Sequence, residues 1–453
     1  MAIIPQPSLF SWDQVDAVSD LDRLRRVLEV LPDEALMQAL EAERKGKRDD
    51  YPLRAVWNSL LAGVIFQHPG VESLRRELQR NGELRQLCGF DPLLGMKAVP
   101  PPWVYTRLFR KLFAHQAQLD AMFDGLVERL KVLLPDLGVH LAVDSKAVDS
   151  HGNPTKAQEA DGRRDTDADW GTKTYRGVRE DGTFWEKIQH WFGYKIHLIV
   201  DAVYELPLGY LVTKASANDG PHLMPLVEGL DAKHPEILAR TGDLAADKAY
   251  DASATLRDLY DLYAIKPIID TRACWKDEPE QPRPLYPERV DTLFYTESGE
   301  VVCRRRDDQA QERDNYTPMV YEGFEAERGC LKYRCPAAVK GWPCSQRDLC
   351  NGGEHTEHGR IVRIPLDTDR RTFVPLPRHT PSWEKAYDRR TGIERVHSRL
   401  DVSFGFEHHF VRGMKKMTFR VGLALVLMLA LAVGWIEAGE PERMRSLVGQ
   451  RAG

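Results

Sequence analysis

The chain has 453 residues, 42% of them hydrophobic and 29% charged, enough for two to four domains with sizeable cores and unlike a disordered polyelectrolyte. Its formal charge of −5 excludes a protein that is basic throughout. It does not exclude nucleic-acid binding, because net charge averages over patches.

Residues 19–134 read as helical. Leu21, Leu24, Val27, Leu28 and Leu31 recur at helical spacing. Asp50, ahead of Tyr51-Pro52, reads as an N-cap to an apolar helix over residues 53–66, and residues 71–87 read as one charged amphipathic helix. Pro100-Pro101-Pro102 breaks the pattern, which resumes over residues 103–134. Nothing at the N-terminus has the charged and apolar regions of a signal peptide, and the reading is cytoplasmic.

The character changes at Gly138. Leu141-Ala142-Val143-Asp144 is a short apolar strand closed by a carboxylate. Residues 156–186 are polar and Gly/Asp-rich and are expected to form a long loop. Residues 192–200 and 208–213 read as a hairpin around Glu205-Leu206-Pro207. Leu244-Ala245-Ala246-Asp247 is a second short strand ending in Asp, followed by a helix over 253–263 and a strand over 265–269. This mixture predicts an α/β core. Residues 273–378 interrupt it with Pro, Arg, short β-like pieces and Cys274, Cys303, Cys330, Cys335, Cys344 and Cys350. The seventh cysteine, Cys88, stands apart; the odd count without a leader argues against a secreted disulfide framework. One helical segment is expected over residues 383–400. Residues 421–436 are uncharged but shorter than the roughly 20 residues of a membrane span, so they read as a buried helix.

Three carboxylates have a context that suits chemistry. Asp144 and Asp247 each close an apolar strand. Glu394 lies in Tyr387-x-x-Arg390-x-x-x-Glu394, whose i, i+3, i+7 spacing predicts one helix face. Two Asp and a Glu on a rigid scaffold suit Mg²⁺, a hard cation that takes oxygen ligands, and a pair of such ions serves phosphodiester chemistry. A strand-end Asp also commonly caps a turn, and Arg390 with Glu394 also reads as a helix ion pair. Periodicity does not bring residues 144, 247 and 394 together in space.

Taken together, Leu141-Ala142-Val143-Asp144, Gly193-Tyr194-Lys195-Ile196-His197, Ala246-Asp247-Lys248-Ala249-Tyr250-Asp251 and Tyr387-x-x-Arg390-x-x-x-Glu394 resemble a bacterial insertion-sequence transposase of the DDE type over about residues 50–436. The resemblance implies an RNase H-like mixed-sheet catalytic core with an N-terminal helical domain and a cysteine-containing insertion. It divides the chain into 1–137 (DNA-end binding), 138–272 (first part of the core), 273–378 (insertion) and 379–453 (C-terminal helices of the core). It implies that Asp144, Asp247 and Glu394 hold two Mg²⁺ ions, with Mn²⁺ as a possible substitute. Asp149 is an alternative to Asp144. The implied reaction cuts element ends and joins the 3′-hydroxyl to target DNA, with double-stranded DNA and a second copy of the chain as partners. The alternatives are an inactive DNA-binding regulator and a metal nuclease unrelated to transposition.

One position departs from the family signature: Asp401 stands where Lys is common. Arg395, Arg399, Lys415 and Lys416 are the candidates to supply the missing DNA contact, with Tyr387 and Arg390 on the Glu394 face. Lys195 and His197 alternate along a strand and share a face; the family motif implies a role near the site, and a surface or core strand pair is the equal alternative. Residues 383–420 carry nine Lys/Arg against five Asp/Glu, which suits a polyanion. The acidic residues that offset this charge lie in the 159–169 loop and at Asp277, Glu278 and Glu280. In the N-terminal helices Arg107, Arg110 and Lys111, among aromatics, are further DNA-contact candidates; a solvated charged face is the competing reading. Cys303, Cys335, Cys344 and Cys350 read as a structural Zn²⁺ site with Cys330, His355 and His358 as substitutes, or as inert buried thiols.

Overall fold

The computed structural model describes residues 20–44, 50–152, 165–179, 181–273, 275, 281–288, 291–305, 315–344, 350 and 359–445. Cys274, His355, His358, Asp277, Glu278, Glu280 and most of the 159–169 acidic run lie outside them. The chain forms two compact units: Met1–Leu137 with Ser145–Asn218 and Gly392–Gly453, and Gly138–Asp144 with Asp219–Thr391. Contacts rather than chain order define them, so residues 273–378 share a unit with two strands of the core.

In the first unit the helices run Asp20–Val30, Glu34–Ala42, Leu53–Ile65, Val71–Arg80, Gly82–Cys88, Pro102–Leu112 and Gln116–Leu133. Two expectations change here. Pro52, with extended backbone, caps the Leu53–Ile65 helix without a side-chain bond, so Asp50 is not its cap. The helix expected over 71–87 is two, because the Asn81 side chain accepts from the Leu84 N–H at 2.9 Å and starts a new one. The apolar C-terminal stretch is the Met414–Glu437 helix, buried from Val421 through Trp435. By length and composition it is long enough to cross a membrane. Here it is a core helix, packed on Gln116–Leu133, Asp20–Val30 and a β-strand, and Gly422 lets that strand's Tyr210 approach: a Cβ there would sit 2.5 Å from the phenol oxygen.

Strand β1 (His140–Asp149) is shared between the units at Asp144/Ser145. The first unit continues with β2 (Asp169–Val178), β3 (Phe184–Asp201) and β4 (Leu206–Lys214). β3 pairs antiparallel with β4 as expected, but the turn is 202–205, with the Asp201 carboxylate accepting the Val203 and Tyr204 N–H groups and Glu205 at φ +58°. β2 overturns the loop expected across residues 156–186: Asp169–Val178 pairs with 184–193 along its whole length. Both faces of that ribbon carry polar and aromatic residues, so no single apolar face marks it as strand. Buried Asp165 ties this part together, accepting from Ser150, the Tyr194 hydroxyl (2.6 Å) and the Gly413 N–H (2.8 Å).

In the second unit the first half of β1 pairs in parallel with β5 (Asp243–Ala246), which pairs in parallel with β6 (Lys266–Ile269). β2 and β4 both pair antiparallel with β3, while β1, β5 and β6 pair in parallel, the mixed sheet of an RNase H-like core. Beyond β6 come two small antiparallel sheets: Arg283–Pro284, Leu293–Tyr295, Val301–Arg305 and Asn315–Pro318 in one, Val320–Glu325, Cys330–Arg334 and Ile361–Pro365 in the other. Leu293, Val301, Leu331, Tyr333, Ile364 and Phe373 give them a common core. The Pro381–Asp388 helix, capped by Thr380, sets Trp383 and Ala386 on Ala245 of β5 and Ile268 of β6.

Candidate active site and DNA-contacting residues

The site builds from the parallel strands of the second unit. Val143 is level with Ala246, and Ala246 with Ile269, so the next residue on each of three neighbouring strands is an aspartate: Asp144, Asp247 and Asp270. Neighbouring strands lie about 4.8 Å apart. The apolar residues before each Asp are buried; the aspartates themselves are half-buried. Burial of the strand bodies therefore forces the first polar residue out at one common edge. Asp247 accepts the Ala249 N–H at 2.8 Å, and Asp270 the Thr271 N–H at 2.8 Å. Asp270 is legible in the same signal that marks the other two, since Pro267-Ile268-Ile269-Asp270 repeats their apolar-run-then-Asp pattern. Asp144 does not close its strand, contrary to the sequence pattern; β1 runs on to Asp149. Asp149 lies in the first unit, and burial raises its pKa. Asp251 of the same motif is structural: it is buried and takes Arg371 (2.7 Å) and the Arg272 N–H.

Tyr387 stands in this neighbourhood. Burial raises its phenol pKa, the Arg390 charge lowers it, and Asp270 and Asp247 raise it again. Its ring stacks on Trp383 at 4.8 Å, and the Arg390 guanidinium lies 5.6 Å from its centroid. The single helix expected over 383–400 is broken. Tyr387 lies in Pro381–Asp388, Arg390 in a two-residue turn, and Glu394 in Thr391–Phe404. The three therefore do not share a helix face. The Thr391 hydroxyl donates to the Asp388 carbonyl at 2.8 Å, a side-chain substitute for helical bonding, and Thr391-Gly392 is a poor helix-forming pair. Glu394 is exposed and belongs to the first unit, whereas Asp144, Asp247, Tyr387 and Arg390 belong to the second. Among the described residues no three His, Cys, Asp or Glu side chains gather as a metal shell.

The basic candidates separate by burial. Arg395 (2.7 Å) and Arg445 (3.2 Å) pair with buried Glu205, as does Arg399. Arg399 is 11% exposed, and burial depresses its pKa to about 10, so this side chain faces the β3–β4 turn and not a DNA phosphate. Asp401 pairs with Lys146 of β1, which neutralises the residue that departs from the signature. Lys415, Lys416, Arg107 and Arg110 are exposed; Arg107 lies over the Trp103 ring at 4.8 Å, and Lys111 pairs with Glu43 at 3.4 Å. His197 is buried against Thr213 of β4 (2.9 Å), and Lys195 donates to the Ala217 carbonyl, in the segment after β4, at 2.7 Å.

Cys303 is half-buried, and Cys335 and Cys350 are buried. Burial pushes the Cys303 thiol up to about 11, and the charges of Cys350, Cys344 and Cys335 push in the same direction, so the four lie in one electrostatic neighbourhood. Cys330 instead faces the Arg328 carbonyl at 3.1 Å.

Residues 135–430 match the family model of the transposase DDE domain. A comparison with curated proteins finds no match. Among solved structures the chain resembles a piggyBac transposase, determined by cryo-EM as a synaptic complex with hairpin DNA, at 10% identity and a TM-score of 0.36, covering 95% of this chain and 79% of that one. A likeness that distant bears on no residue or partner here. The family match spans well over half of the chain, and on that ground the protein belongs to the DDE-domain transposases.

Proposed function

We propose that this transposase cuts the ends of an insertion sequence and joins the freed 3′-hydroxyl to target DNA, with Asp144, Asp247 and Glu394 as its metal-binding carboxylates. The observation that carries the reading is the register that sets Asp144 beside Asp247 at the edge of two parallel strands, inside the segment matched by the family model. Hard carboxylate oxygens on rigid neighbouring strands fit Mg²⁺, with Mn²⁺ as a substitute. Bound ions would supply an activated water and neutralise charge on the leaving oxygen. The chain's own contribution is positional: strands β1 and β5 fix the two aspartates, and the Pro381–Asp388 helix with the turn after it holds Tyr387 and Arg390 near Asp247. Arg390 would meet a DNA phosphate there, while Arg107, Arg110, Lys415 and Lys416 are exposed cations for further contacts. The reaction requires double-stranded DNA and, to handle two element ends, at least a dimer; it is cytoplasmic work on the chromosome.

The test is strand transfer on DNA carrying the element's own ends, with Mg²⁺, for the wild type and Asp247→Ala. The expected loss is at least 10³-fold in cleavage, the scale on which removing a group essential to charge stabilisation acts. Equal activity of the two proteins would sink the reading and favour a DNA-binding regulator. Equal cutting of DNA without element ends would favour a nuclease.

The cysteine neighbourhood supports a second, structural element: Cys303, Cys335, Cys344 and Cys350 as a Zn²⁺ site that closes on metal binding. Its support is that Cys335, Cys344 and Cys350 all act on the Cys303 thiol; among the described residues they are not gathered as a metal shell, so the site would close only on binding. Metal analysis of the purified full chain should give about one zinc per protomer; less than half of that would exclude the site.

A further inference from the structure

The β2–β3 ribbon carries residues that neither the fold nor the catalytic reading uses. Residues 184–190 of β3 are exposed without interruption, so this half of the strand covers no core. Two isolated strands are marginal in water, and large exposed apolar groups on such an arm mark a surface that meets something. Phe184 is 86% exposed and Ile188 51%.

The two faces of the ribbon differ. Register and two-residue alternation assign one face to Gly171, Lys173, Tyr175 and Gly177 of β2 and to Trp185, Lys187, Gln189 and Trp191 of β3. Along these residues the formal charges are Lys173 and Lys187; Asp169, at the inner end of the same face, is bonded to the Ser216 N–H and hydroxyl. Both tryptophans lie flat across glycines of the facing strand: a Cβ at Gly171 would be 2.3 Å from the Trp191 ring, and one at Gly177 2.5 Å from that of Trp185. Between these two plates stand Lys173, Tyr175 and Lys187, with the Lys173 ammonium 5.4 Å from the Tyr175 centroid. The result is a flat, aromatic strip whose outer part carries two cations and no carboxylate.

We infer that this strip is a DNA-contacting arm that lies in the major groove, with Lys173 and Lys187 neutralising phosphates and Tyr175 and Trp185 packed on the sugar–base surface. The inference rests on the transposase reading, which makes DNA the polyanion at hand. The major groove, about 12 Å wide, admits a two-stranded ribbon. Charge disfavours the simplest rival: a second copy docking the same face would bring four lysines together.

The experiment is fluorescence anisotropy of the full-length protein on a labelled 30-base-pair duplex, and on one of its single strands, between 50 and 200 mM salt. The proteins are the wild type, Lys173→Ala/Lys187→Ala, Tyr175→Ala/Trp185→Ala and the charge-retaining Lys173→Arg/Lys187→Arg. The double alanine variant at the lysines is expected to bind duplex about tenfold more loosely, with the slope of log K against log salt smaller by about 1.8, at about 0.9 for each phosphate no longer neutralised. The arginine variant keeps the wild-type slope, and the aromatic variant loses affinity with its slope unchanged. An unchanged slope in the lysine-to-alanine variant, while the wild type binds, overturns the arm alone. A loss confined to single strand overturns the groove placement, and a loss of oligomer on sedimentation with unchanged duplex affinity reassigns the ribbon to a second copy. A wild type that binds no DNA overturns the transposase reading together with the arm.

Discussion

The parallel edge of β1, β5 and β6 and the β2–β3 ribbon are built from the same two-residue repeat, yet they treat water in opposite ways. At the parallel edge, Leu141, Val143, Leu244, Ala246, Ile268 and Ile269 are buried on both sides, and the aspartates that follow them are half-buried. Along the outer half of the ribbon, apolar and polar side chains alike are exposed. A strand buried on both faces is held by apolar contact, and its sequence shows it as a continuous apolar run. A strand exposed on both faces is held by its partner's hydrogen bonds and cross-strand pairs, and it shows no such run. The first kind of strand fixes the residue that follows its buried run, where position is rigid. The second offers area, where a partner supplies the missing burial.

The contrast predicts where substitutions hurt. Leu244→Ala, in the middle of β5, is expected to cost about 2–5 kcal/mol, because it opens a cavity where the surroundings relax only partly. Chemical denaturation measures it, and a cost below 1 kcal/mol would mean that the parallel edge is not a rigid scaffold.

Acid is the next largest perturbation. Burial, with the charges of Lys146 and Lys173, holds His397 down to about 3, and burial, with Arg420 and His151, holds His409 down to about 4. Both histidines stay neutral in the fold and take protons when unfolded below the ordinary value near 6.5. The unfolded chain therefore binds more protons below that pH, and stability falls as pH drops from about 6.5 toward 4. The melting temperature should be lower by roughly 5 °C at pH 5 than at pH 7.5, and His409→Gln should shrink that difference. A melting temperature that rises on acidification would contradict the burial of these rings.

The smallest effect is expected from Phe184→Ser on the ribbon, within about 0.5 kcal/mol of wild type, because the side chain is already in water. A cost above 2 kcal/mol would show that the ribbon packs on something within the chain, and the contrast between the two regions would fail.

Much of the site is legible in the sequence, for a reason visible in its residues. Leu141-Ala142-Val143-Asp144 and Leu244-Ala245-Ala246-Asp247 announce buried strands by apolar content, and the carboxylate that follows must surface. The same rule applies to Asp270. The tyrosine–arginine–glutamate signature is legible as a motif, but its spacing reads as one helix where the fold has two. A hydroxyl-to-carbonyl bond at Thr391 and Asp388 interrupts a pattern that the 3.6-residue period would carry through. Arg399 misleads for a related reason: periodicity ranks it with the other cations, and only the Glu205 turn reveals that it faces inward.

By itself, then, the sequence determined the mixed α/β class, the apolar C-terminal core helix, the short apolar runs followed by aspartates and the membership signature. These are local properties, set by side-chain hydrophobicity and spacing. The tertiary structure alone decided the register that aligns Asp144, Asp247 and Asp270, the division of the signature between two helices, the pairing of Asp401 with Lys146 and the existence of the ribbon. Each depends on which distant backbone or charge a segment meets, and hydrogen-bond register and ion pairing between residues far apart in the chain leave no periodic trace in it.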